Sequence, residues 1–91
     1  MQGTFEKNLH LAIILGEYIR ELRERKGYFS RNRFANEYDL NDSNLGKIEH
    51  GLIEVKFVTL LKVIQALDIS PDEFMAGLIK RLGKDFTLID Q

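Results

Sequence analysis

At 91 residues, 44% apolar and 30% charged with a single proline, the chain can bury about two-thirds of its unfolded surface in one core. One domain over residues 1–91 is therefore expected, with a compact fold rather than disorder. The lack of cysteine excludes disulfides and thiolate metal sites; L-A-I-I-L is too short to span a bilayer and no signal-peptide pattern precedes it, so a cytoplasmic chain without a membrane partner is expected.

Residues 1–4 read as a loose lead-in. Phe5, Leu9, Ala12 or Ile13, Gly16, Ile19 and Leu22 then follow helical spacing, which predicts a first helix over 5–26 ended by Gly27. Gly16 weakens that pattern, and a start nearer Leu11 is the alternative. Tyr28 and Phe29 form an apolar hinge. Ser30 caps a short second helix with Phe34, Ala35 and Tyr38 inward, ending near Asp39. Leu40 is an apolar plug, and Asn41, Asp42 and Ser43 are successive candidates for the next cap. Leu45 and Ile48 anchor the third helix, which leaves Asp42, Ser43, Asn44 and Lys47 outside. Gly51 closes it as a left-handed cap, with His50 at its negative end.

Two helices that restart so quickly must cross steeply. The stretch over about 30–50 is thus read as a helix-turn-helix, whose second helix is held out so that its polar face can enter a DNA major groove. Net charge is −1, which does not favour DNA, but its distribution matters more than its total. Residues 20–33 hold six basic side chains (Arg20, Arg23, Arg25, Lys26, Arg31, Arg33) against Glu21 and Glu24, a local balance of +4. The acids gather in 37–42 and 68–73.

Phe57, Leu60, Leu61, Ile64 and Leu67 predict a fourth helix over 56–67. Ser70 and Glu73 form a capping box around Pro71, so a fifth helix begins there, carries Phe74, Met75, Leu78, Ile79 and Leu82, and ends at Gly83. The tail, 84–91, alternates weakly with Phe86 and Leu88 on one side. It has three readings: wrapping the N-terminal end of the first helix, pairing with a second copy, or binding another protein.

In order and spacing over residues 15–74, L-G-E-Y-I-R-E-L-R-E-R-K-G, S-R-N-R-F-A, K-I-E-H-G and L-L-K-V-I-Q-A-L-D-I-S-P-D-E-F resemble the Cro and phage-repressor-like helix-turn-helix proteins, the xenobiotic-response-element family. The resemblance implies an all-α, five-helix lambda-repressor-like domain with a short extended C-terminal tail. It implies a sequence-specific DNA-binding transcriptional regulator, a repressor, with double-stranded DNA as partner. A homodimer would place two reading helices about 34 Å apart.

Carried over position by position, the resemblance puts Arg31 on backbone phosphate and Asn41, Asp42, Ser43 and Lys47 toward bases. Asn44 faces backbone or base, and His50 faces phosphate. Lys47 suits guanine O6 or N7; Asp42 either accepts from cytosine N4 or favours the helix dipole. Gly46 marks a close approach to backbone or DNA. Arg23 and Glu49 match a structural ion pair; the alternative is two exposed, nearly neutral charges.

The chain departs from the family after Gly51, where L-I-E-V replaces polar or basic residues. Those side chains either form a sticky edge or fold back onto the core. Two further functional readings stand beside the regulator: the antitoxin of a toxin-antitoxin pair, bound through the tail, and an interaction module that kept the fold without DNA binding. Catalysis is not expected. His10 and His50 lie far apart, and there is no metal-ligand spacing, phosphate-cradling loop or nucleophile motif, so no catalytic residue, metal or cofactor is assigned.

Overall fold

Helix boundaries in this chain are set by backbone groups that need partners at each end. The computed structural model describes residues 3–89; Met1 and Gln2 of the lead-in, and Asp90 and Gln91 of the tail, lie outside the described residues. Five helices follow one another: α1 (Thr4–Arg25), α2 (Arg31–Glu37), α3 (Asp42–Glu49), α4 (Phe57–Ala66) and α5 (Pro71–Leu82), with no strand among the described residues.

Three N-termini carry side-chain caps. Ser30 Oγ accepts from the Arg33 amide at 3.2 Å, Asn41 Oδ1 from the Asn44 amide at 2.8 Å and Ser70 Oγ from the Glu73 amide at 3.4 Å. Gly51, at φ +69°, turns the chain out of α3 and lets the Leu52 amide reach the Lys47 carbonyl at 2.9 Å. Two other reversals use aspartate. Asp39 and Asp68 stand at φ +56° and +57°, and after Asp39 the Leu40 amide returns to the Ala35 carbonyl at 2.8 Å. Helix α2 therefore stops at Glu37, short of the expected Asp39.

α1 is the spine on which α3 and α5 pack. Ile19, Phe34, Ala35, Leu45, Ile48, Val63, Ile64 and Phe74 are almost wholly buried in one cluster, flanked by Leu15, Tyr18 and Leu78. Gly16 is the crossing point rather than a weak spot at the helix start. A Cβ there would run into the Ile48 carbonyl oxygen and stand 2.6 Å from that of Glu49. The glycine lets the end of α3 lie directly on α1.

Several expected core residues face out. Phe5, Leu9 and Ile13 leave the N-terminal part of the α1 stripe exposed, and Phe57 on α4 is 72% exposed while Val63 takes its place inside. Met75 and Ile79 line an outer face of α5. In the segment after Gly51 both expectations hold in part: Ile53 and Val55 fold onto the core, whereas Leu52 is 71% exposed. In the tail, Phe86 sets its ring 5.7 Å from that of His10. Leu88 joins Leu11, Ala12, Leu15, Ile53 and Val55 around an apolar groove of about 280 Å³. The tail thus lies along the first half of α1.

Candidate nucleic-acid interface

The surface that the sequence singles out is built from the N-termini of α2 and α3. Leu45 and Ile48, each 2% exposed, fasten α3 to the core from one side. Ser43 and Lys47, four residues apart, are exposed together on the other. Asn44 is half-buried instead and lines a small cleft with Thr59 and Val63, so it leans toward α4. Asn41 turns its side-chain oxygen to the cap, and its amide NH2 remains for a ligand. It can therefore offer a hydrogen bond to an acceptor, such as a phosphate oxygen, guanine O6 or N7, or thymine O4.

A buried ion pair holds α3 against α1. Arg23 Nε and Nη2 donate to the two oxygens of Glu49 at 2.8 and 2.9 Å, with the side chains only 4% and 2% exposed. The same guanidinium donates from Nη1 to the carbonyls of Tyr28 and Phe29, at 2.6 and 3.1 Å. One arginine thereby ties the end of α1, the hinge before α2 and the end of α3 together. The Tyr28 ring packs edge-on against Phe34 and Tyr38, and its hydroxyl donates to Glu37 at 2.6 Å. That hydrogen bond is the main reason that the Tyr28 phenol stands well above its ordinary pKa, with the neighbouring Tyr38 hydroxyl and burial adding to it.

Arg31 and Asp42 form a second link, which spacing did not foreshadow. Arg31 Nε donates to Asp42 Oδ1 at 2.8 Å, across the turn between α2 and α3, and both side chains are about one-third exposed. The Arg31 hydrogen bond is the main reason that the Asp42 carboxyl lies below its ordinary pKa; it also raises that of the guanidinium. Asp42 is thus turned toward α2 by an arginine, a partner that neither expectation for it included. His50 places Nδ1 2.7 Å from the Gly46 carbonyl. A carbonyl only accepts, so Nδ1 carries the hydrogen and donates.

The basic stretch over 20–33 is less available than its count suggests. Arg20 pairs with Glu24, Arg25 with Glu21, Arg23 with Glu49 and Arg31 with Asp42. Lys26 lies over the Tyr38 ring at 5.6 Å. Arg33, exposed beside the α2 cap, forms no ion pair among the described residues, and neither does Lys47. Arg33 is a candidate that motif matching passed over; its signal was membership of that basic stretch. Among the described residues no group of three or more His, Cys, Asp or Glu side chains could hold a metal, and no helix is long and apolar enough to cross a membrane.

Comparison with known proteins matches the helix-turn-helix family over residues 19–74. Among solved structures, the restriction-modification controller protein C.AhdI from Aeromonas hydrophila is 38% identical, with 69% of this chain and 94% of that chain covered and a TM-score of 0.62. A mutant of the restriction-modification controller protein C.Esp1396I shares the fold at 22% identity, covering 80% of this chain and 96% of that one with a TM-score of 0.73. Comparison with the curated proteins gives no match.

Proposed function

We propose, for a chain that belongs to the Cro and phage-repressor-like helix-turn-helix family, that it is a DNA-binding transcriptional regulator which represses by occupying an operator. The observation that carries the reading is the outward pair Ser43 and Lys47, on a helix whose other side is pinned by Leu45, Ile48 and the buried Arg23–Glu49 pair. A reading helix must be held rigidly while its polar face stays open, and α3 meets both conditions. In this reading α3 enters the major groove, Lys47 donates to guanine, and Asn41 donates to a base or phosphate acceptor. Arg31, Arg33 and His50 lie on the backbone side, and Ser43 and Asn44 flank the reading edge.

The chain acts as a cytoplasmic, non-enzymatic homodimer in this account. The exposed Met75 and Ile79 of α5, with Phe57 and Val58 at the start of α4, support an apolar self-contact. A similar protein of known structure, from Aeromonas hydrophila, is a restriction-modification controller protein, and the same role is proposed for this chain.

Selection of bound duplexes from a random pool, followed by sedimentation of the complex, tests the proposal. Recovery of a near-palindromic site with two protomers bound is the expected result. Failure to enrich any sequence, or a monomer at micromolar concentration with and without DNA, overturns it.

A further inference from the structure

We propose that Gly46 is a positioning residue: with Asp42 it forms a seat on α3 that holds the Arg31 guanidinium in one pose, ready for a backbone phosphate. The inference rests on the DNA-binding reading above and adds to it how the phosphate contact is aimed. Asp42 and Gly46 are four apart and share one face of α3. Asp42 takes the Nε hydrogen, and the rest of the guanidinium lies over Gly46. A Cβ at position 46 would stand 2.7 Å from Nη1, 2.8 Å from Cζ and 3.2 Å from Nη2. Any side chain there fills the space that the guanidinium now occupies.

The remaining donors make the arrangement useful. Nε is engaged, while Nη1 and Nη2 have no hydrogen-bond partner among the described residues. The fork end of the arginine is therefore free for phosphate oxygens while its inner edge is fixed. A flexible arginine loses rotamer freedom when it binds, and one already seated has less to lose. Gly46 also serves His50, whose Nδ1 donates to its carbonyl. Two groups expected on the phosphate side thus converge on one glycine in the middle of a helix, where alanine would otherwise be favoured.

A double-mutant cycle of Gly46→Ala and Arg31→Ala, read by fluorescence anisotropy on a random duplex and on a selected operator, tests the seat. The alanine displaces only the far end of a flexible side chain, so Gly46→Ala keeps or raises the melting temperature. It is expected to weaken both duplexes equally, by about three- to tenfold. In the Arg31→Ala background it should have no further effect.

If Arg31→Ala weakens binding and Gly46→Ala does not, the seat is refuted while the phosphate contact stands. If Gly46→Ala weakens binding as much without Arg31 as with it, the glycine serves its own approach to DNA and the seat is refuted. An inert Arg31→Ala overturns the phosphate contact and the seat with it. Asp42→Asn is read by base preference, because removing a carboxylate alters DNA affinity on its own. An unchanged preference supports a positioning role; loss of preference at one base pair shows that Asp42 reads DNA and overturns its half of the proposal.

Discussion

Replacing Arg23 by alanine should remove a large part of the protein's stability. The guanidinium makes four hydrogen bonds, two to Glu49 and two to the carbonyls of Tyr28 and Phe29. With the pair 4% and 2% exposed, the Glu49 carboxylate would be left in the interior without its partner. Breaking a buried pair from one side costs about 3–5 kcal/mol. A domain of this size has about 5–15 kcal/mol in total, and each kcal/mol moves its melting temperature by about 4–8 °C. A fall of at least ~12 °C is expected, with a matching drop in the urea midpoint. The exposed pairs Arg20–Glu24 and Arg25–Glu21 set the scale from below, since losing either should change stability by less than about 1 kcal/mol. Replacing both partners, as Arg23→Met with Glu49→Leu, should recover most of the loss because no buried charge remains. Urea unfolding followed by circular dichroism measures all of these. A loss under about 1 kcal/mol for Arg23→Ala would refute the claim that this pair clamps the reading helix.

Gly16→Ala should destabilise by about 1–3 kcal/mol even though alanine is the better helix former, because the added methyl meets the Ile48 and Glu49 carbonyls; a variant as stable as the parent in urea contradicts the close α1–α3 crossing. Asn41→Ala removes the acceptor for the Asn44 amide and should cost about 1 kcal/mol, with the amide exchanging faster by NMR; unchanged exchange there contradicts the cap. Asp42 should titrate below the ordinary carboxylate value of about 3.9 when followed by carboxyl carbon NMR, and return toward it in Arg31→Ala. Because its folded pKa is depressed, the stability it lends is present above the unfolded value and disappears as pH falls through the folded one. A midpoint unmoved by Arg31→Ala contradicts the ion pair.

The sequence disclosed the helices and most of their ends because those signals are local. Ser30, Asn41, Ser70 with Pro71, and Gly51 each act within one turn of the backbone they satisfy. The reversals at Asp39 and Asp68 were less legible, since aspartate enters the left-handed region without the plain signature of glycine. Periodicity also could not tell a core stripe from an exposed one. Phe5, Leu9 and Ile13 obey the same spacing as Ile19, but no other element covers most of that face at the start of α1.

The site divides in the same way. The outward placement of Ser43 and Lys47 follows from helical geometry once Leu45 and Ile48 are inside. The Arg23–Glu49 pair spans 26 residues, and the family resemblance rather than any spacing suggested it. The Arg31–Asp42 bond depends on the angle at which α2 meets α3, which a one-dimensional pattern does not contain. For that reason the +4 count over 20–33 overstated the free positive charge: Glu49 and Asp42, from outside the stretch, neutralise two of its arginines.

The central claim is that the outward face of α3 meets double-stranded DNA, and a salt titration of duplex binding with and without Lys47→Ala tests it most directly. With Arg31 and Arg33 of each protomer on phosphates, a dimer should show a log–log slope of about −4 between 50 and 200 mM salt. Lys47→Ala should weaken binding to a selected site and relax preference for guanine there. No binding to any duplex at the lowest salt, or a Lys47→Ala protein with unchanged affinity and base preference, would contradict the account.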